Sequence, residues 1–201
     1  MTLVDFTFAG LSLTTDERLL TPREWTAAQS AWGAELLEEL PAGPVLELCA
    51  GAGHIGLAAV RDSDRHLVAV DREEVATTRV LANAELLGMA DRVEVRCRPL
   101  TAALEPHERF PLVIADPPWV PRGQVGRYPE DPVEAIDGGD DGLAVARECV
   151  QVIDRHLDVD GAALLQLGTT QQVSALELPD GLALDEVREF PRGVLVGLRR
   201  V

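Results

Sequence analysis

The chain has 201 residues, 46% hydrophobic and 26% charged, a composition typical of one globular domain spanning residues 1–201. The formal net charge of −16 disfavours nucleic acid as a partner, because phosphates would be repelled. No apolar run reaches the roughly 18 residues of a membrane span, and residues 1–5 lack the features of a signal peptide, so we expect no membrane association. Three widely spaced cysteines predict reduced thiols in a cytoplasmic protein rather than disulfides or a metal site: Cys49, Cys97 and Cys149.

Residues 1–44 predict a hairpin followed by a helix. Apolar and polar residues alternate over 4–14 around Ala9-Gly10, a pattern typical of two short strands joined by a tight turn. Thr21-Pro22 then resembles a helix start, since proline is favoured at the first helical position. Apolar residues follow at helical spacing as far as Pro41: Trp25, Ala28, Trp32, Leu36 and Leu40.

The next segment is a glycine-rich turn between a strand and a helix. Residues 45–48 form a short apolar run that predicts a buried strand, and residues 55–60 are helix-like. Gly51, Gly53 and Gly56 between them have the spacing G-x-G-x-x-G. Without a Cβ, such a turn lets backbone N–H groups approach a ligand closely, although this motif alone is weak evidence for any one cofactor.

The remaining elements alternate between strand and helix patterns as far as residue 178. Predicted strands cover 67–70, 93–97, 112–115 and 162–167, and predicted helices cover 73–87, 143–157 and 169–176. A long loop is expected over 120–142, and strands 184–190 and 194–199 form a closing hairpin. This order predicts an α/β fold with a mostly parallel sheet, helices on both faces and one antiparallel strand near its end.

Several predicted strands end in residues that suit a nucleotide-like cofactor. Ligands of such folds lie at the carboxyl ends of the strands. Asp71 follows the glycines by about twenty residues, where an acidic residue binds ribose hydroxyls. At this point a dinucleotide-dependent oxidoreductase and an S-adenosyl-L-methionine (SAM) methyltransferase fit equally well.

Two features favour the methyltransferase. Glu47, inside the strand before the glycines, would repel a pyrophosphate but suits a cofactor with an amino group and a sulfonium. Asp116-Pro117-Pro118-Trp119 follows a buried strand, and its two prolines restrict the backbone. The Asp116 carboxylate and a neighbouring carbonyl can accept the hydrogens of a planar NH₂ group while the Trp119 ring stacks on it.

These two stretches resemble motifs I and IV of class I SAM-dependent methyltransferases, and the chain is most similar to the release-factor glutamine N5-methyltransferase group. Three further segments are similar to segments of that group: 8–11 with 20–26, 135–143, and 165–172. The resemblance implies a Rossmann-like core over 45–201, with a seven-stranded sheet. It also implies SAM as cofactor and a planar NH₂ group as acceptor, on a protein or a small molecule.

The resemblance also implies a role for each matching residue. The acceptor would be held by Asp116, Pro117, Pro118 and Trp119, with no metal. For the cofactor, the resemblance implies that Glu47 orients the loop or the SAM ammonium, and that Asp71 binds the ribose hydroxyls. Arg72 and the Leu100 amide would contact the adenine. The methionine portion would lie against Cys49, Ala50, Gly51 and Gly53, and the border of the pocket would be formed by Arg23, Thr26 and Asp116.

Three departures from the group keep other functions open. Cys49 replaces its first glycine, Pro99 replaces the acidic residue near adenine, and Asp116 replaces asparagine. The helical N-terminal domain of the group has no counterpart in these residues. The alternatives are methylation of an RNA or DNA base amine, which an aspartate at position 116 favours, SAM binding without turnover, and a nicotinamide-dependent oxidoreductase.

Overall fold

The computed structural model describes residues 2–201, apart from the side chain of Glu24. Strand and helix segments alternate through most of this range, as the sequence predicts. The strands are β1 Leu3–Phe8, β2 Leu11–Asp16, β3 Val45–Leu48, β4 Leu67–Asp71, β5 Val93–Cys97, β6 Phe110–Ala115, β7 Leu157–Leu167, β8 Leu182–Phe190 and β9 Gly193–Arg200. The helices are α1 Ala27–Leu37, α2 His54–Val60, α3 Glu74–Leu86, α4 Val133–Ile136, α5 Ala144–His156 and α6 Thr170–Ala175.

Strands β3 to β9 form one seven-stranded sheet in the order β5-β4-β3-β6-β7-β9-β8. Neighbouring strands from β5 to β7 are parallel, and β9 runs antiparallel to both β7 and β8. The two faces of the sheet are covered by separate hydrophobic clusters, one including α1, α2 and α3 and the other α5. The predicted α/β fold, with its mostly parallel sheet and closing antiparallel hairpin, is therefore confirmed.

One amide side chain links the N-terminal hairpin to two other parts of the protein. Its turn places Ala9 and Gly10 at φ of 48° and 79°, as a two-residue turn between twisted strands requires. The buried Asn83 side chain on α3 accepts from the Thr14 N–H and donates to the Thr14 carbonyl, each at 2.9 Å. It also donates to the Ala52 carbonyl at 2.9 Å. Asn83 thus ties the hairpin to the glycine-rich turn.

The largest differences between predicted and observed boundaries lie at the start of the first helix and at the start of β7. The first helix does not begin after Thr21: a 3₁₀ turn covers Glu24–Thr26, and the α-helix starts at Ala27. Arg23 instead forms an ion pair with Asp131, which holds this part of the chain over the carboxyl ends of the strands. Strand β7 begins at Leu157 rather than at residue 162, because Leu157 already pairs with Phe110 of β6.

The loop over 120–142 contains more regular structure than the sequence predicts. A 3₁₀ segment covers Arg122–Arg127, and α4 is a single helical turn. None of the helices within residues 2–201 is long and apolar enough to cross a bilayer.

Candidate functional site

A cavity of about 570 Å³ lies where β3 and β6 end side by side. The chain leaves these neighbouring strands toward opposite sides of the sheet, since β3 is followed by β4 on one side and β6 by β7 on the other. Such a switch point opens a crevice between the two connections, which is the usual ligand site of doubly wound sheets. Parallel pairing of Leu48 with Ala115 makes Cys49 and Asp116 the next residues on the two strands.

The cavity brings together ten of the predicted site residues. The N-terminal segment contributes Arg23 and Thr26, and the glycine-rich turn contributes Cys49, Ala50 and Gly51. The next two strand ends contribute Asp71, Arg72 and Leu100, and the end of β6 contributes Asp116 and Pro118. Four predicted residues lie outside the described lining of the cavity: Glu47, Gly53, Pro117 and Trp119.

The turn after β3 owes its shape to left-handed backbone conformations. Cys49, Gly51 and Gly53 have φ of 58°, 53° and 74°. At Cys49 this conformation costs roughly 1–2 kcal/mol, because the residue has a Cβ. A Cβ on Gly51 would meet no atom within 4 Å, so the backbone there is open to a ligand. Gly53 instead begins α2, and a Cβ there would lie 2.9 Å from Val80, so its role is packing.

Asp71 is held in place at the end of β4 by two backbone amides. Its carboxylate accepts from the Gly51 N–H at 2.9 Å and from the Glu73 N–H at 3.0 Å. Burial raises the pKa of Asp71, and these two donors oppose that shift. The same carboxylate therefore links the glycine-rich turn to the next strand end, facing the cavity.

Glu47 lies beneath the turn and supports it from inside the protein. Its carboxylate is buried and accepts from the Gly56 N–H at 2.8 Å, while its second oxygen has no partner among the described residues. A Cβ on Gly56 would lie 2.4 Å from that oxygen, so only glycine fits there. Burial raises the pKa of Glu47 to about 8. Glu47 therefore contacts the start of α2, and its carboxylate does not reach the cavity wall; its role in orienting the loop stays a prediction.

The tetrapeptide after β6 divides between the cavity and the protein interior. Asp116 and Pro118 face the cavity, and Pro117 is buried. The half-buried Trp119 ring lies against the backbone of Gly168 at the end of β7, where a Cβ would be 2.2 Å from a ring carbon. Burial raises the pKa of Asp116 to about 7, so its carboxyl group changes charge near neutral pH.

The electrostatics of the cavity are acidic. Its three arginines are each engaged by a carboxylate, in the pairs Arg18–Asp16, Arg23–Asp131 and Arg72–Glu73. Four lining carboxylates have no ion-pair partner within residues 2–201: Asp71, Asp116, Glu134 and Glu148. A ligand with positive charge is therefore favoured.

The structure adds site residues that sequence analysis missed. Glu134 and Glu148 come from α4 and α5, at positions that no motif marks. His54 lines the cavity, and burial lowers its pKa to about 3; its ring packs edge-on against Phe8, with 4.7 Å between the ring centroids. A neutral, packed imidazole of this kind is a poor candidate for a general base.

Comparisons with known proteins find methyltransferases among the relatives of this chain. A family model described as "Conserved hypothetical protein 95" matches residues 28–126. The chain is similar to a ribosomal protein uL3 glutamine methyltransferase of Burkholderia pseudomallei, with 30% identity over 76% of this chain and 54% of that protein. It is also similar to a release factor glutamine methyltransferase of Bradyrhizobium diazoefficiens, with 29% identity over 96% of this chain and 67% of that protein.

The predicted resemblance to glutamine methyltransferases is thus confirmed, although the chain spans little more than half the length of the first of these relatives. Solved structures add the fold. A ribosomal protein L11 methylase from Lactobacillus delbrueckii superimposes with a TM-score of 0.68 at 16% identity, covering 92% of this chain and 83% of the other. An RNA methyltransferase from Salinibacter ruber, in complex with S-adenosyl-L-homocysteine, gives 0.57 at 15% identity, covering 88% and 90%. The Rossmann-like methyltransferase fold is confirmed.

The buried Glu47 predicts a specific pH dependence of stability. Its pKa is about 8 in the folded protein against a usual value of 4.5, so the unfolded chain ionises first as the pH rises. The contribution of Glu47 to the free energy of unfolding should therefore fall between about pH 4.5 and 8 and then level off. We expect Glu47→Gln to reduce this fall and to exceed the wild type by roughly 1–3 kcal/mol above pH 8, measured by urea unfolding.

The exposed Glu85 on α3 supplies the control, and Glu85→Gln should follow the wild-type curve. An identical pH dependence in Glu47→Gln and wild type would contradict the assignment of a raised pKa to Glu47.

Proposed function

We propose that the protein is a SAM-dependent N-methyltransferase that acts on a planar NH₂ group. One observation supports this most strongly: the glycine-rich turn with Asp71, and the end of β6 with Asp116 and Pro118, line the same cavity. A cofactor held by the first set presents its reactive end to an acceptor held by the second. The register of β3 and β6 sets this juxtaposition.

The residues of the cavity fit SAM. Open space at Gly51 admits the methionine portion to the backbone of the turn. The Asp71 carboxylate, already fixed by two amides, is placed to accept ribose hydroxyls. Arg72 and the segment at Leu100 border the space next to it, where adenine would lie. The unpaired carboxylates suit a cofactor whose sulfonium and ammonium are positive.

SAM supplies a methyl group that its sulfonium already activates, so the protein has to position the acceptor rather than create a strong base. The nitrogen lone pair of an amide or aryl amine is delocalised. A hydrogen bond from the NH₂ group to ionised Asp116, and a second to a carbonyl of the proline turn, would localise that pair and direct it toward the cofactor. Holding two reactants in this way can lower a barrier by roughly 7–11 kcal/mol.

For the acceptor we propose a glutamine side chain of a protein. The relatives are named for glutamine methylation of ribosomal protein uL3 and of release factors. A glutamine amide is planar and has the two hydrogens that Asp116 and a carbonyl can accept. The net charge of −16 and the acidic cavity favour a basic protein surface around that glutamine.

A base amine of RNA is the second candidate. The aspartate at position 116 favours it, because a carboxylate is a stronger acceptor for the exocyclic amine of a base. The unpaired acidic residues Glu134 and Glu148 oppose it, because they would repel a phosphate backbone at the cavity.

Binding calorimetry tests the cofactor. We expect the protein to bind S-adenosyl-L-homocysteine and not NADH. Replacing Asp71 with alanine should weaken binding by about tenfold or more, because a hydrogen bond to a charged group contributes roughly 1.5–3 kcal/mol. Asp64, an exposed residue before β4, supplies the control variant Asp64→Ala, which should bind normally. Binding of NADH alone would refute the proposal.

Variants of Asp116 test the acceptor site. Transfer of labelled methyl from SAM to unmethylated uL3, release factor or rRNA provides the assay. Asp116→Ala should reduce transfer by about 10²-fold or more, the typical cost of removing a group that stabilises developing charge. Affinity for S-adenosyl-L-homocysteine should stay near the wild-type value. Full transfer by Asp116→Ala would show that this carboxylate does not hold the acceptor.

The raised pKa of Asp116 predicts the pH profile of the same reaction. Ionised Asp116 is a charged and therefore stronger acceptor for the NH₂ hydrogen than the protonated carboxyl group, so the rate should rise with pH and level off above about pH 7. In Asp116→Asn the side chain does not titrate, so this step should disappear while slower transfer persists. If the methyl-transfer rate of Asp116→Asn still rises at the same pH, the titrating group is not Asp116 and the prediction is contradicted.

A further inference from the structure

The side chain of Gln172 joins three segments behind the proposed acceptor site. It lies on α6 and is 7% exposed. Its Nε2 donates to the Trp119 carbonyl at 2.8 Å and, at 3.3 Å each, to the carbonyls of Asp141 and Gly142. Its Oε1 accepts from the Gly168 N–H at 2.9 Å. One amide thus connects the tetrapeptide after β6, the loop before α5 and the end of β7.

The position of Gln172 on its helix leaves the side chain free for this connection. Thr169 is the N-cap of α6, and its hydroxyl oxygen accepts from the Gln172 N–H at 3.2 Å. In a capping box, a glutamine at this position returns a hydrogen bond to the cap residue's own N–H. Here its side chain instead bonds Gly168 and the two loops. The bonds of the Gln172 amide therefore serve the acceptor side rather than the helix end.

The surrounding glycines show how closely these segments approach one another. A Cβ on Gly142 would lie 2.3 Å from the Trp119 carbonyl oxygen, and one on Gly138 would lie 2.7 Å from the Pro118 carbonyl oxygen. On the other side, the Trp119 ring covers Gly168. The tetrapeptide therefore lies between the backbone of Gly138 and Gly142 on one side and that of Gly168 on the other. In this space, a hydrogen bond to the Trp119 carbonyl fixes the orientation of the tetrapeptide backbone.

We infer that Gln172 is a positioning residue for methyl transfer, an inference that rests on the proposed function of the Asp116–Trp119 segment. By holding the Trp119 carbonyl, its amide fixes the tetrapeptide that carries Asp116 and Pro118 into the cavity, and so sets the direction of the Asp116 carboxylate. A glutamine amide can do this because it donates to carbonyls and accepts from an N–H at the same time. A methionine side chain makes neither of these hydrogen bonds, and an ionised glutamate can accept from the N–H but cannot donate to the carbonyls.

The neighbouring Gln171 supplies a matched control. It is on the same helix, has the same side chain and is exposed, without a side-chain hydrogen bond among the described residues. The sequence alone does not distinguish the two glutamines. Only the structure shows that Gln172 turns inward.

Fluorine NMR of protein labelled with fluorotryptophan tests the inference directly. The chain has three tryptophans, and Trp119→Phe assigns the resonance of Trp119. We expect Gln172→Met to shift or broaden the Trp119 resonance and to leave those of Trp25 and Trp32 unchanged. Gln171→Met should alter none of them. Gln172→Glu, which keeps an oxygen for the Gly168 N–H but places another against the Trp119 carbonyl, is the second variant if Gln172→Met does not fold.

Methyl transfer and cofactor affinity are measured on the same variants. A displaced Asp116–Trp119 segment should reduce transfer by about 10²-fold, the order of loss expected from a misplacement near 1 Å. The dissociation constant for S-adenosyl-L-homocysteine should stay unchanged, which a general loss of structure would not allow. An unmoved Trp119 resonance, or full transfer by both Gln172 variants, would overturn the inference. A wild type that binds no S-adenosyl-L-homocysteine would instead contradict the proposed function, while the NMR comparison would still report on Trp119.

Discussion

The register between β3 and β6 is the constraint on which the site depends. Because Leu48 pairs with Ala115, the glycine-rich turn and the Asp116 segment begin at the same level of the sheet and diverge around one cavity. A shift of one residue would turn the buried Glu47 to the opposite face. The hydrogen bond from the Gly56 N–H to Glu47 then fixes α2 above the strand. Sheet pairing and this buried contact together bring the proposed cofactor and acceptor positions into one cavity.

The site accumulates features that cost stability. Cys49 adopts a left-handed backbone, Glu47 has an unpaired buried oxygen, and burial raises the pKa of both Asp71 and Asp116. The rest of the sheet compensates, since β3 and β6 are almost fully buried between two hydrophobic clusters. A strained backbone and unpaired buried polar groups are concentrated here at the carboxyl ends of the strands, over a well-packed core. Such a concentration is typical of functional sites.

Local patterns predicted most of the fold but few of the contacts that complete the site. The run 45–48, the glycine spacing and Asp116-Pro117-Pro118 are short-range features, so the sequence identified them. The start of α1 was predicted wrongly: a 3₁₀ turn precedes it, next to Arg23, which pairs with Asp131 more than one hundred residues away. The inward turn of Gln172 and the approach of Glu148 to the cavity likewise depend on tertiary packing, which periodicity and spacing do not encode.

The most direct test is a crystal structure of the complex with S-adenosyl-L-homocysteine. The ligand should lie across the ends of β3 and β4, with its ribose hydroxyls on the Asp71 carboxylate and its sulfur directed toward Asp116 and Pro118. Electron density for the ligand outside this cavity, or a sulfur that faces away from Asp116, would contradict the claim that the ends of β3 and β6 form one methyl-transfer site.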